Sequence, residues 1–129
     1  MELASLSAFS QSSARPATRR LRVSLYRDAT AIVRDELGSS LTLDEVARRV
    51  ATSPRQLRRA FAEVGGTSFR AYVLGVRMAR ASELLATSDL PVAEVGRRVG
   101  YLQPGQFAKA FKRAHGVTPS EFRSARGGG

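Results

Sequence analysis

The 129-residue sequence contains no cysteine and no tryptophan, and its 11 acidic residues are outnumbered by 21 basic ones. The lack of cysteine excludes a disulfide scaffold, a thiolate zinc site and a cysteine nucleophile. No apolar run approaches the roughly 20 residues that a membrane-spanning helix needs. The N-terminus also lacks the basic start and apolar stretch of a secretory signal. We therefore expect a soluble protein of the cytoplasm.

Patterns typical of catalysis or metal binding are also lacking. His115 is the only histidine, and the sequence shows no nucleophile beside a base, no glycine-rich phosphate loop and no triad of metal ligands. Asp44 and Glu45 stand where a helix is expected to begin, so they are interpreted as capping residues rather than catalytic carboxylates. The sequence therefore indicates neither an enzyme nor a cofactor or metal site.

The abundance of arginine points to a polyanionic partner. The formal net charge is +10, and arginine outnumbers lysine 19 to 2. Residues 1–18 have no net charge, so the whole excess falls within residues 19–129. Arginine is the better bidentate donor to phosphate and to guanine. Charge alone, however, leaves DNA, RNA and an anionic membrane as possible partners.

The hydrophobic spacing and the capping residues predict an all-α protein. Apolar residues recur at three- and four-residue intervals, and Ser53-Pro54 and Thr118-Pro119 are typical helix starts. We expect seven helices, at about 20–37, from 42, 53–64, 68–87, 91–99, 104–115 and from 118 onward. Residues 1–18 are expected to form a flexible tail or the remnant of a linker, and residues 127–129 a frayed end.

The sequence contains an internal repeat that relates the predicted helices to one another. The segment 45–51, EVARRVA, returns as 94–100, EVGRRVG, at an offset of 49. After one inserted residue, 57–61, LRRAF, returns as 107–111, FAKAF, at an offset of 50. Each copy is a short helix, a tight turn and a second helix. The repeat predicts two helix-turn-helix subdomains, at 19–66 and 89–126, joined by a long linker helix at 67–88.

Each predicted unit meets the physical needs of a helix-turn-helix. A small residue in the first helix, Ala47 or Gly96, lets the second helix cross closely. Apolar anchors one turn apart fix the second helix and leave its other face free. In both units this free face carries basic side chains. The linker helix, about 20 residues long, would span roughly 30 Å. Successive major grooves on one face of DNA lie about 34 Å apart, so one chain is expected to reach both as a monomer.

At this point the sequence resembles the DNA-binding domain of the AraC/XylS family of bacterial transcription regulators, over about residues 20–125. The most specific stretch is Gly100-Tyr101, then Phe107 and Phe111-Lys112, then 116–123, GVTPSEFR. The resemblance implies a two-lobed helical domain whose third and sixth helices enter adjacent major grooves. It also implies a sequence-specific regulator, more often an activator, that binds promoter DNA and contacts RNA polymerase. Such a protein is expected to be associated with the nucleoid.

The resemblance also assigns the candidate contacts by position. The base-contact candidates are Arg55, Arg58, Arg59, Gln106 and Lys109. The phosphate-contact candidates are Ser53, Gln103, Lys112 and Arg113.

The second unit departs from the family pattern. It has Leu102, Pro104 and Gly105 where polar residues are common, so the first unit is expected to carry most of the base specificity. Gly96 replaces the usual alanine and is expected to loosen its helix by roughly 0.5–1 kcal/mol. Arg77 is interpreted as a structural ion-pair partner. A nonspecific architectural DNA-binding protein remains the alternative, and the chain may be part of a longer regulator or a stand-alone one.

Overall fold

The computed structural model describes residues 16–127, and within that range every regular element is helical. The helices are α1 (Pro16–Asp35), α2 (Leu43–Arg49), α3 (Pro54–Ala60), α4 (Phe69–Thr87), α5 (Val92–Arg98), α6 (Pro104–His115) and α7 (Pro119–Gly127). A π-helical turn, Phe61–Gly65, continues α3. The predicted all-α fold of seven helices is confirmed for the described residues.

The ends of the chain differ in part from expectation. Helix α1 begins at Pro16, so residues 16–18 are helical and do not belong to a flexible tail. Gly127 is the last residue of α7 rather than part of a frayed end. The rest of the predicted tail, residues 1–15, and residues 128–129 lie outside the described residues.

The described chain divides into two compact units. The first comprises residues 16–32 and 42–69, and the second comprises residues 33–41 and 70–127. Each unit contains one copy of the repeat. The division assigns nearly all of α4 to the second unit, whereas the sequence favoured a separate linker helix at 67–88. The subdomain boundaries at 19–66 and 89–126 stay a prediction.

The core of the first unit is built around Phe61. Its ring meets Tyr26 of α1 edge to face at 5.0 Å and Phe69 at 5.4 Å. Leu57 and Val46 are also fully buried. Edge-to-face pairs of this kind contribute about 0.5–1.5 kcal/mol each beyond their buried area. These contacts hold α3 by one side only and leave its other side to solvent.

Helices α2 and α3 are each capped at the N-terminus by a side-chain hydroxyl. The backbone N–H of Glu45 donates to the Thr42 hydroxyl, and that of Gln56 donates to the Ser53 hydroxyl, both at 3.1 Å. Between the helices, Ala51 has φ +59°, the left-handed region that disfavours a Cβ. The equivalent residue of the second unit is Gly100, with φ +105°.

The second unit has a longer aromatic core. Phe107 and Phe111 of α6 are fully buried, with ring centroids 5.9 Å apart. Phe122 of α7 meets Phe111 edge to face at 5.5 Å, and Tyr101 lies 5.7 Å from Phe107. The interpretation of the aromatic residues as core rather than as a base-stacking platform is confirmed for these rings.

Arg123 fixes the end of α4 in the second unit. Its guanidinium donates to the carbonyl oxygens of Leu85, Ser88 and Leu90. Carbonyls at a helix C-terminus lack intrahelical donors, and a cation there also suits the helix dipole. This explains why an arginine follows the GVTPSEF stretch.

Arg77 has a different role from the one expected. The side chain forms no ion pair within the described residues. Its guanidinium carbon instead lies 5.7 Å from the centroid of the Tyr101 ring, a cation–π contact. The ion-pair expectation for Arg77 was wrong, but a structural role inside the second unit holds.

Candidate nucleic-acid interface

Helix α3 presents a free arginine face. Leu57 and Ala60 point inward and are fully buried. Arg55, Arg58 and Arg59 are all exposed on the opposite side. Within the described part of the chain, Arg55 and Arg58 have no acidic partner, so their full charge is available. Three guanidinium groups on two turns of helix suit phosphate oxygens and guanine edges.

Arg59 differs from its neighbours because an acidic side chain holds it. Its Nε lies 3.4 Å from Oε2 of Glu63, and the other carboxylate oxygen of Glu63 accepts a hydrogen bond from Arg22 of α1. The Arg22 side chain is only 14% exposed, whereas Arg59 is 54% exposed. Glu63 thus links α1 to the end of α3 and restrains one of the three exposed arginines of α3. The sequence analysis missed Glu63, although its i,i+4 spacing from Arg59 was a usable signal. Only the fold brings Arg22 near position 63.

Helix α6 is the corresponding element of the second unit. Phe107 and Phe111 fix its inner face, and the 12-residue helix contains no acidic residue. Its polar side chains on the outer face, Gln106, Lys109, Lys112 and Arg113, are all exposed. The charge on Lys112 contributes to lowering the pKa of Glu121. This face carries three cations but fewer bidentate donors than α3.

The two N-cap positions are not equivalent. The Ser53 hydroxyl is occupied as the cap of α3, although the residue remains exposed. Gln103 stands at the N-cap of α6 but makes no side-chain capping bond. The Gln103 amide is therefore not used by the helix, and the Ser53 hydroxyl keeps only its remaining hydrogen-bonding capacity for a phosphate.

The crossing of α5 and α6 depends on Gly96. A Cβ built at Gly96 would lie 2.9 Å from the Cγ of the Phe107 ring and 3.1 Å from its Cβ. Both residues are buried, so neither can move without disturbing the core. The close crossing expected of a small residue is confirmed. The expectation that Gly96 merely loosens its helix misses this role, because an alanine there would clash.

The turns of the two units differ by one residue. In the first, Thr52 N donates to Ala47 O, and Ser53 caps the next helix. In the second, Tyr101 N donates to Gly96 O in the same way, but the N-cap is Gln103. The inserted residue is therefore Leu102. It is 84% exposed, more than any other large hydrophobic residue of the described chain.

The first turn of α6 continues this apolar surface. Pro104 and Gly105 follow Gln103 and are both exposed. A Cβ added at Gly105 would meet nothing within 4 Å. Neither residue has a side-chain donor or acceptor. These two positions, where the family commonly has polar residues, thus present backbone and hydrocarbon.

The charges of the first helix in each unit are largely neutralised. Arg97 and Arg98 both donate to Glu94, and these hydrogen bonds lower the pKa of that carboxyl. Arg48 donates to Glu45 in the first unit, which raises the pKa of the guanidinium. By contrast, Arg55, Arg58 and the cations of α6 stay available. In both units the second helix carries the free positive charge.

Other kinds of site find little support in the described residues. Residues 16–127 contain no group of three or more histidine, aspartate or glutamate side chains placed to hold a metal ion. None of the described helices combines the length and the hydropathy needed to cross a membrane.

In each unit, two helices joined by a tight turn, with an outward basic face on the second helix, define a helix-turn-helix DNA-binding module. The family model described as a helix-turn-helix domain matches residues 46–125. The chain is 36% identical over 102 residues to the arabinose operon regulatory protein of Salmonella typhimurium. The match covers 78% of this chain and 36% of that protein. The chain belongs to the AraC-type helix-turn-helix family of transcription regulators.

Solved structures agree with this assignment. The C-terminal domain of AraT, a response regulator from Geobacillus stearothermophilus, matches with a TM-score of 0.76 and 36% identity, over 79% of this chain and 85% of that one. The DNA-binding domain of AdpA, solved in complex with a target DNA, matches with a TM-score of 0.73 and 28% identity, over 78% and 90%. The chain spans about a third or less of the length of the curated relatives it matches. These relatives are regulators with DNA-binding domains and not enzymes.

Proposed function

We propose that this chain binds specific promoter sequences in double-stranded DNA and regulates transcription from them. The observation that carries the proposal is the free face of α3. Arg55 and Arg58 project from a helix whose other side is fixed in the core, and no acid of the described chain neutralises them. Among the side chains, arginine makes the commonest specific contact in the major groove, bidentate to guanine.

The second unit supports the proposal in a different way. The exposed side chains of α6 supply charge through Lys109, Lys112 and Arg113, with Gln106 as the amide able to contact a base edge. Contacts to phosphate set position and orientation on the duplex and carry no sequence information themselves. We therefore assign base reading mainly to α3, and to α6 a mixture of phosphate contacts and weaker reading through Gln106 and Lys109.

We further propose that one chain engages two adjacent major grooves as a monomer. Helix α4 has 19 residues, about 28 Å at 1.5 Å per residue, which is comparable with the ~34 Å between successive major grooves on one face. Activation of transcription, through contact with RNA polymerase in the cytoplasm, also belongs to the proposal. A reporter gene placed behind the selected site, with and without this chain, tests the sign of regulation.

The decisive experiment is a binding selection followed by a specificity ratio. A pool of random duplexes is selected with the protein, and the affinity for the selected site is compared with that for random DNA at one fixed salt concentration. We expect the selected site to bind at least about 10³-fold more tightly. A ratio near one would establish a nonspecific architectural binder instead. Footprinting should show two protected segments about one helical turn apart, and a single segment would contradict the two-groove proposal.

A further inference from the structure

An exposed apolar surface lies at the start of α6. Leu102 is 84% exposed, and Pro104 and Gly105 beside it are exposed too. An inserted leucine that packs on nothing does not stabilise the fold. Leu102 directly precedes Gln103, the N-cap of α6, and the outer face of that helix carries Lys109 and Arg113.

The chemistry of the major groove offers one apolar group. Each thymine presents its C5-methyl there, and hydrocarbon side chains recognise it by contact. The cations of α6 draw the helix toward a polyanion. At Gly105 the helix has no side chain, and the space beyond it is open, so a base edge can approach the backbone closely. A hydrocarbon surface within a cationic face therefore fits DNA better than it fits an uncharged apolar partner.

We propose that Leu102, with Pro104 beside it, is a specificity determinant that recognises a thymine methyl group in the half-site bound by the second unit. This inference rests on the proposed function. It adds the reading of T·A pairs by apolar contact to the phosphate contacts and weaker base reading assigned to α6. The single-residue insertion in the turn, absent from the first unit, is what supplies the leucine.

The test replaces thymine by deoxyuridine, which lacks only the methyl group and keeps the same base pairing. Each thymine in the selected site is replaced in turn, and the affinity is measured by titration of labelled duplex. For the unmodified protein we expect about a fourfold loss at one or two thymines in the half-site of the second unit, the value of one buried methyl. For Leu102→Ala we expect a clearly smaller loss at the same thymines, because the leucine contact no longer exists and only that of Pro104 remains.

Two control variants make the test specific. Leu102→Met keeps an apolar chain and should retain the loss at deoxyuridine. Leu74→Ala removes a different exposed leucine, on α4, 41% exposed, and should leave the whole deoxyuridine profile unchanged. Since Leu102 is almost fully exposed, the folding midpoints of its variants in urea should match that of the parent protein.

Several outcomes would overturn the inference alone. A strong site with no effect of deoxyuridine at any position would do so. So would a Leu102→Ala variant that keeps the same losses, or one that binds DNA normally but fails to activate a reporter, which would indicate a protein partner. A half-site selected without thymine would also overturn it. Failure of the proposed function gives a different result, because no selected site would then exceed random DNA, and both proposals would fall.

Discussion

Arg59 Nε lies 3.4 Å from a carboxylate oxygen of Glu63, whereas Arg58, the adjacent residue, has no acidic partner among residues 16–127. Before DNA is bound, one of these two neighbouring guanidinium groups is therefore paired with an acid and the other is not. The charge of Arg58 is not neutralised by an acid of the described chain. Arg59 is restrained by an acid that also binds Arg22.

Arg58→Ala should weaken binding to the selected site by about 1–3 kcal/mol and relax specificity at one base pair. The reason is that this guanidinium is free to contact a base edge. Arg48→Ala provides the matched control, because Arg48 is held by Glu45 on α2 and its loss should leave specificity unchanged. Equal losses on the selected site and on random DNA would show that Arg58 contacts phosphate.

Glu63 should act on DNA binding through Arg59. Glu63→Gln and Arg59→Ala, measured singly and together in a double-mutant cycle, should show a coupling of about 0.5–1 kcal/mol in discrimination between the selected site and random DNA. Arg59→Ala should change the unfolding free energy little, since an exposed ion pair contributes about 0–1 kcal/mol. Glu63→Gln also removes the charged partner of Arg22, whose side chain is only 14% exposed, so unfolding is measured for each variant. Additive effects of the two changes on discrimination would separate Glu63 from recognition.

Lys112→Ala should weaken binding to all DNA similarly and reduce the slope of log affinity against log salt by about one. Lys112 is a point charge on the outer face of α6 and suits a phosphate better than a base. The measurement is a series of titrations at several salt concentrations on both the selected site and random DNA. An unchanged slope would exclude a phosphate contact for this lysine.

Gly96 and Phe107 should behave as a size-matched pair. Gly96→Ala should destabilise the protein by about 1–3 kcal/mol through overpacking, and Phe107→Leu by about 1 kcal/mol through a cavity. The double variant, which reproduces the Ala47 and Leu57 combination of the first unit, should be more stable than the two single effects added together predict. Urea unfolding measures all four proteins, and strict additivity would contradict the pairing.

Ala51→Gly should stabilise the first unit by about 0.5–1 kcal/mol. Ala51 has φ +59°, a conformation that costs an alanine but not a glycine. The reciprocal change, Gly100→Ala, should destabilise by about 1–3 kcal/mol, because φ is +105° there and a Cβ would lie 2.9 Å from Leu37 O. Thermal unfolding should therefore shift in opposite directions for the two variants.

The loss of folding stability at acidic pH should depend in part on Glu121. The backbone N–H of Thr118 donates to its carboxylate at 2.9 Å, and this hydrogen bond, followed by that with the Thr118 hydroxyl, lowers the pKa of Glu121. A lowered folded pKa gives stability that is present above the unfolded value of about 4.3 and is lost as the pH falls through the folded value. Glu121→Gln should therefore show a smaller fall in melting temperature between about pH 5 and pH 3.

The helices and the exposure of the candidate contact residues could be predicted from the sequence, because their signals are local. Ser53 and Thr118 were identified as N-caps from the residues that follow them, and the exposed arginines of α3 from helical spacing. The contacts of Glu63 with Arg22 and of Arg77 with Tyr101 could not be assigned in this way. The partners are 41 and 24 positions apart, and only tertiary packing brings them together.

Leu102 shows a further limit of sequence reasoning. The offset of the repeat changes from 49 to 50, which locates an insertion in the turn but not the residue that was added. The backbone hydrogen bonds of Thr52 and Tyr101, together with the N-caps Ser53 and Gln103, identify it. Its exposure follows from the turn geometry, which no residue pattern reveals.

The pairing of Gly96 with Phe107 also constrains how the two repeats diverged. One unit has alanine with leucine, and the other has glycine with phenylalanine. Whichever combination is older, single substitutions lead through glycine with leucine or through alanine with phenylalanine. The first leaves a small gap, and the second places a methyl group against a buried ring. The accessible evolutionary path therefore runs through the underpacked intermediate, with the order of the two substitutions set by steric contact.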